Sequence, residues 1–282
     1  MGILSLLRKG AACHTTRMGR APATGDEKKE AGKYFSRELG DSYREFWDGM
    51  ARTQEGAYLG VAGLPFGQPA TEESLDLHGK GAAEIIAKKL DLTGNDTVLE
   101  VGVGVGRLAR HIAPLVREFH GVDISPNMIR HARERCRDLN NIFLYAHPSS
   151  DLSLFPSQKF DAIYFQVVLI HLDREDAFHY LREARRVLKP GGRLWAQFYN
   201  LLHPKGFKEF VFAVDYGIEQ GGKVRGRVQC YTSDEARQFV TGAGFIIDET
   251  KSHLERIDQR FNFDIPDLDW EYYLIAVATT PT

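Results

Sequence analysis

Cysteine is scarce: Cys13, Cys136 and Cys230 are the three in 282 residues. An odd number this widely spaced fits neither a disulfide framework nor a closed zinc site, and a reducing compartment is the simplest reading. No C-x-x-C or H-x-x-x-H pair and no G-x-S-x-G elbow occurs, which disfavours metal centres and serine nucleophiles of those spacings. No apolar run approaches the roughly 18 to 20 residues that span a bilayer, so a protein without a membrane span, in the cytoplasm, is expected. A surplus of one charge is missing as well. Lysine and arginine total 36 against 38 acidic residues, a net charge of -2, and no nucleic-acid partner is expected on that balance.

Acidic residues are absent from residues 1–25, where Arg8, Lys9, Arg17 and Arg20 lie among small and hydroxylated residues. The pattern fits a disordered arm and equally a mitochondrial transit peptide, the alternative to a cytoplasmic location. The apolar run Ile3 to Leu7 is too short for a secretory signal, and Leu6 stands where myristoylation needs a hydroxyl.

What is present is 43% hydrophobic residues, enough for one large domain with a buried core. Residues 26–92 read as an N-terminal helical cover. Phe35, Leu39, Tyr43, Phe46 and Trp47 recur at helical spacing, glycines and prolines make a loop of Gly56 to Pro69, and Glu72 to Leu90 is an amphipathic helix. From residue 93 to the end, short apolar strands alternate with amphipathic helices. This is the pattern of a doubly wound α/β sheet of parallel strands, covered on both faces. Strands are expected at Val98–Val101, Phe119–Val122, Ile142–Tyr145, Ala162–Phe165 and Leu194–Phe198. The intervening helices are Arg107–Val116, Pro126–Leu139 with Ser125 as N-cap, and one capped by Asp173 that ends at Lys189-Pro-Gly-Gly192.

The first strand runs into Glu100-Val-Gly-Val-Gly-Val-Gly106 and then a helix. Glycine lets the chain turn sharply and lets a ligand approach the backbone without meeting a Cβ. Counted from Gly102, a dinucleotide fingerprint fails at Arg107; counted from Gly104, Ala109 completes its tolerated G-x-G-x-x-A form, so spacing alone leaves a dinucleotide open. Asp123 ends the second strand 21 residues after Gly102, where such a sheet presents a carboxylate to the two hydroxyls of a ribose.

The segments Val98–Gly106, Gly121–Ser125, Phe160–Phe165 and Arg186–Gly192 together resemble the class I S-adenosylmethionine-dependent methyltransferases, in their small-molecule methyltransferase-domain family. The resemblance is good over about residues 72 to 200 and thins beyond. It implies a Rossmann-like seven-stranded sheet, mostly parallel with the last strand antiparallel, for which Phe245–Glu249 and Tyr272–Ala278 are the final strands. It also implies S-adenosyl-L-methionine as cofactor. Position by position, the acidic Glu100 opens the glycine motif, Gly102, Gly104 and Gly106 lie against its methionine and ribose, Asp123 holds the ribose hydroxyls, and Ile124 covers the adenine. The usual polar triplet after the third strand is replaced by Ala146-His-Pro-Ser-Ser-Asp151, so Ser149, Ser150 or a backbone group must serve as the adenine partner, with Ser149 the site candidate.

Gln166 stands past the fourth strand at the edge where ligands bind in open α/β sheets, with an ordinary strand-end residue as the alternative. His171 is the candidate general base for a hydroxyl or amine, with a structural histidine as its alternative. Aromatics of the cover and of an acceptor-pocket insertion at about 200–231 are expected to close the site, over a small-molecule acceptor. Phe165–His171 lacks the [DN]-P-P-[YF] pattern of DNA amino-methyltransferases. The leading reading is methyl transfer to an O or N atom. The alternatives are a non-methylating enzyme with the same nucleoside cofactor and an inactive binding or assembly protein. Oligomeric state is open.

Overall fold

The computed structural model describes residues 42–62, 70–223, 225–252 and 271–278. The expectations for residues 1–25 and for Phe35 and Leu39 lie outside these residues.

Three helices precede the sheet: α1 (Tyr43–Met50), α2 (Gln54–Ala62) and α3 (Glu72–Lys89). Helix α1 begins at a capping box in which Ser42 and Glu45 each bond the other's backbone N–H, at 3.1 Å in both directions. Its Phe46 and Met50 are buried. The stretch expected as a loop from Gly56 is helical up to Ala62, because glycine here serves close packing instead of a break. A Cβ on Gly56 would lie 2.2 Å from the Met50 carbonyl oxygen, and one on Gly60 would touch Met128.

The sheet contains β1 (Thr97–Val101), β2 (Glu118–Asp123), β3 (Ile142–Ala146), β4 (Phe160–Phe165), β5 (Leu188–Asn200), β6 (Cys230–Tyr231), β7 (Phe245–Ile247) and β8 (Glu271–Ala278). Its order is β3-β2-β1-β4-β5-β8-β7, with the two-residue β6 beside the end of β5. Only pairings with β8 are antiparallel. The expected mixed Rossmann-like sheet is therefore present, and β6 adds one short strand to the expected seven. Helices α4 (Ala109–Ile112), α5 (Pro126–Arg135), α6 (Arg174–Val187), α7 (Pro204–Glu219) and α8 (Ser233–Gly242) complete the order.

Both faces of the sheet are covered, and strand alternation divides the side chains between them. Leu99, Val101, Ile163 and Phe165 pack with α6 and α8, whereas Val98, Ala162 and Tyr164 pack with α3, α4 and α5. Strand order reverses between β1 and β4, and Val101 pairs with both Val122 and Phe165, so β1, β2 and β4 end together. That switch point is where open α/β sheets bind ligands.

Four local expectations need correction. The helix expected over Arg107–Val116 is four residues long and passes into a 3-10 turn at Ala113–Leu115, because Pro114 has no N–H to continue the ladder. The helix from Pro126 ends at Arg135, four residues early, although Ser125 caps it as expected. Asp173 occupies an N-cap position without capping: its carboxylate instead accepts from Arg225, at 2.8 Å, and from Arg227. Lys189-Pro-Gly-Gly192 does not separate helix from strand, since β5 already begins at Leu188 and absorbs a register irregularity opposite Phe160 to Ala162.

Candidate cofactor and acceptor site

Where β1 ends, the chain turns through Gly102 at φ +75°, Gly104 at +53° and Gly106 at +77°, a left-handed path costly for any residue with a Cβ. Space imposes a second demand. A Cβ on Gly102 would stand 2.3 Å from Val168 Cγ2, and one on Gly104 would stand 2.6 Å from Val61 Cγ1. The turn is tied to β2 from two directions. The Gly102 N–H donates to the Val122 carbonyl at 2.8 Å, and the Gly104 N–H donates to Asp123 Oδ2 at 2.9 Å. The other carboxylate oxygen, Oδ1, accepts from the Ser125 N–H at 2.9 Å. Burial pushes the Asp123 carboxyl up to about 6, and these backbone donors oppose the shift.

Around this turn lies an open cavity. Gly102, Gly104 and Asp123 form its floor, Ile124 and Tyr180 one wall, and Tyr43, Trp47, Gly60 and Val61 of α1 and α2 the opposite side. Helix α1 is latched to the floor by Asp48, whose Oδ1 accepts from the Ser125 hydroxyl at 2.8 Å and the Asn127 N–H at 2.9 Å. That carboxylate sits at the start of α5, where a negative charge is favoured by the helix dipole.

His171 also lines the cavity, edge-on to Trp47 with ring centroids 5.1 Å apart. Its Nδ1 lies 3.0 Å from the Gly226 carbonyl oxygen, so in the neutral ring Nδ1–H donates there and Nε2 carries the free lone pair. Burial lowers its pKa to about 4, and the carbonyls of Gly226 and Arg227 act the other way. Val167, next to it in the wall, holds a left-handed φ of +59°, rare for a β-branched residue. The buried Gln197 maintains that turn, its side-chain oxygen accepting from the Val167 N–H at 2.7 Å.

The structure thus brings Gly102, Gly104, Asp123, Ile124 and His171 into one cavity. It puts the other four candidates outside the cavity lining, each for a local reason. Glu100 alternates with Leu99 and Val101, so it faces the α3–α5 layer, where the Tyr164 hydroxyl donates to it at 2.9 Å and burial pushes it up to about 8. Gly106 turns the chain against α5, and a Cβ there would meet Cys136 Sγ at 3.0 Å. Gln166 alternates with Phe165 and accepts from the Trp195 indole N–H at 2.9 Å. Ser149 offers its carbonyl to the Tyr180 hydroxyl at 3.4 Å, while the neighbouring Ser150 lines the cavity.

His147 is a lining residue that sequence reasoning missed. Its Nε2 is held 2.8 Å from Asp151 Oδ1, and the interaction lowers the Asp151 carboxyl to about 2 against its own burial. Its place follows from the sheet register: β3 pairs Ala146 with Asp123, so the next residue stands at the same sheet edge, a pairing that the sequence does not print. The aromatics expected from the 200–231 insertion do not form the cover. Phe207 and Phe210 are exposed, and Tyr216 and Phe212 instead brace α1 from behind, against Phe46 and Met50.

Residues 98–192 match a family model described as a methyltransferase domain. A demethylmenaquinone methyltransferase of Tropheryma whipplei is 39% identical over 132 residues, 47% of this chain and 52% of that protein. A phosphoethanolamine N-methyltransferase of Plasmodium falciparum is 29% identical over 145 residues, 50% of this chain and 54% of that protein. The chain therefore spans about half the length of these curated relatives. In fold it is similar to magnesium protoporphyrin IX methyltransferase from Synechocystis, solved with bound SAH, with a TM-score of 0.57 at 20% identity over 84% of this chain and 98% of that one. Residues 98–192 are thus a methyltransferase domain laid on this sheet, with its glycine turn closed by the carboxylate of the next strand, and the fold is similar to that of class I S-adenosylmethionine-dependent methyltransferases.

Proposed function

We propose that this chain transfers a methyl group from S-adenosyl-L-methionine to an O or N atom of a small molecule. The observation that carries the reading is the convergence of the Gly102–Gly104 turn, Asp123 and the α1–α2 cover on one cavity. The residues fit the cofactor. Each Asp123 oxygen already takes one backbone N–H and has a lone pair left for a ribose hydroxyl, Ile124 offers an apolar face to adenine, and the glycines leave backbone open to the ligand. The bound cofactor supplies a methyl group already activated on a sulfonium, so the protein's part is positioning and exclusion of water. Trp47, Tyr43, Val61 and Val168 do this by roofing the turn with apolar surface.

His171, neutral through the physiological range, presents Nε2 as an acceptor that orients an incoming hydroxyl or amine; its depressed basicity makes it a positioning group before a general base. Relatives named for demethylmenaquinone and phosphoethanolamine support a small molecule as acceptor, as does the balanced charge of the chain. No helix among the described residues is long and apolar enough to cross a membrane. The free, buried thiols of Cys136 and Cys230 support the cytoplasm as the working compartment. Isothermal titration with S-adenosylmethionine and S-adenosylhomocysteine, followed by a methyl-transfer screen over hydroxyl and amine acceptors, tests the reading. Heat from both ligands and one methylated product are expected; absence of heat from either at high protein concentration overturns it.

A further inference from the structure

Helix α7 carries a face that is exposed among the described residues. Phe207, Phe210, Val211, Val214 and Ile218 are all exposed, Ile218 to 73% and Phe207 to 57%. At about 100° per residue the five fall within an arc of roughly 100°, a continuous apolar stripe along the helix. Phe207 and Phe210 already touch on it, with ring centroids 6.1 Å apart. The opposite face is committed, since Tyr216 and Phe212 pack on Phe46, Met50 and Trp47 of α1. A row of large apolar residues on the outside of a helix whose inner face is already packed marks an interaction surface.

The sequence of the stripe identifies its occupant. A two-fold axis crossing the helix midway between Val211 and Val214 lays a second α7 antiparallel on the first. Val211 of one copy then faces Val214 of the other, and Phe207 faces Ile218. Charge follows the same symmetry. Lys208 is exposed on one flank of the stripe near the start of the helix, and Asp215 lies on that same flank about two turns later. In an antiparallel pair like flanks meet, and the register that pairs Val211 with Val214 sets Lys208 of each copy beside Asp215 of the other. A parallel arrangement would offset these charges. We propose that the stripe is the seat of a second copy of this chain, in a two-fold antiparallel α7–α7 contact closed by two Lys208–Asp215 pairs. A single helix pair is at the small end of the size range of specific interfaces. Because α7 braces α1, whose Tyr43 and Trp47 line the cavity, the contact backs the cover of the site.

Sedimentation equilibrium of the full chain over a micromolar concentration series tests this, with vesicles of mixed phosphatidylcholine and phosphatidylglycerol as the second arm. The expected result is a shift from 31.8 kDa toward twice that mass. Val211→Asp, at an exposed position, should abolish the shift while leaving the circular dichroism spectrum unchanged. Lys208→Glu and Asp215→Lys should each weaken the dimer by roughly fivefold, one surface pair being lost at each of two symmetric places, and the double swap should restore it. A monomer at every concentration overturns the proposal, as does a dimer indifferent to Val211→Asp. So does failure of the double swap to restore association, or a monomer that sediments with the vesicles.

Discussion

Asp123 accepts a hydrogen bond from the Gly104 backbone at 2.9 Å, so the carboxylate proposed to hold the ribose also closes the glycine turn from the adjacent strand. The proposed ligand contact and the observed loop geometry therefore meet in one side chain, and the two roles separate by substitution. Asp123→Asn keeps one acceptor oxygen, which can serve Gly104 or Ser125 but not both. We expect the free protein to lose about 1 to 3 kcal/mol of stability from the orphaned donor, and Asp123→Ala to weaken cofactor binding by about 1.5 to 3 kcal/mol. Denaturant unfolding and calorimetric titration measure the two separately, and unchanged binding in Asp123→Ala contradicts the assignment.

Gly104→Ala meets two obstacles, a left-handed φ and the Val61 methyl group 2.6 Å from the new Cβ. Adding Val61→Ala removes the second obstacle only. Cofactor affinity should fall sharply in Gly104→Ala and recover in part in the double variant, leaving a residual deficit of about 1 kcal/mol from backbone strain. Full recovery would show that contact alone keeps this position glycine.

Glu100 imposes a pH dependence on folding. Its ordinary carboxyl value near 4.5 is pushed up to about 8 by burial, so between those values the unfolded chain releases a proton that the folded chain keeps. Stability contributed by this group is complete below about pH 4.5 and declines as pH rises through 8. Glu100→Gln, which keeps an acceptor for the Tyr164 hydroxyl, should gain on the parent protein over that interval, as read by urea midpoints at pH 5 and 9. A constant difference across the range would sink the argument.

His171 acts in the opposite sense. Its pKa falls from 6.5 to about 4 on folding, so its contribution is present above pH 6.5 and is lost as pH drops toward 4. The rate profile of methyl transfer should carry no inflection near 6.5 from this residue. His171→Gln should flatten the acid limb of the stability curve, and lower activity mainly through the acceptor KM if Nε2 orients the acceptor.

Asp48 is the latch between cover and floor. Asp48→Ala frees the Ser125 hydroxyl and the Asn127 N–H, and a loss of about 1.5 to 3 kcal/mol in stability is expected for charge-assisted bonds. Hydrogen exchange should rise in α1 and at the start of α5 together; a rise in one alone would mean that the two do not move as a unit.

The glycine turn and the carboxylate at the end of β2 were legible in the sequence because their signals are local. A left-handed turn must be glycine wherever it occurs, and a strand of given length puts its last residue at the sheet edge, so Gly102, Gly104 and Asp123 could be read in order along the chain. Ser125 and Pro126 likewise announce the helix they begin. Side-chain direction was beyond such reading. Glu100 lies near the end of β1 and Gln166 just past β4, but their side chains are taken by Tyr164 and Trp195 and do not line the cavity, a direction set by which layer each neighbour packs against. His147 gained its place through a register shared with β2, a contact across the sheet. Asp173 shows the same limit, because two arginines more than fifty residues away won a carboxylate that sequence assigned to its own helix. The sequence by itself determined the alternation of strands and helices, the turn and the carboxylate at the edge. The tertiary structure alone decided which of those groups share a cavity, because burial and long-range pairing are properties of the packed layers and not of any single segment.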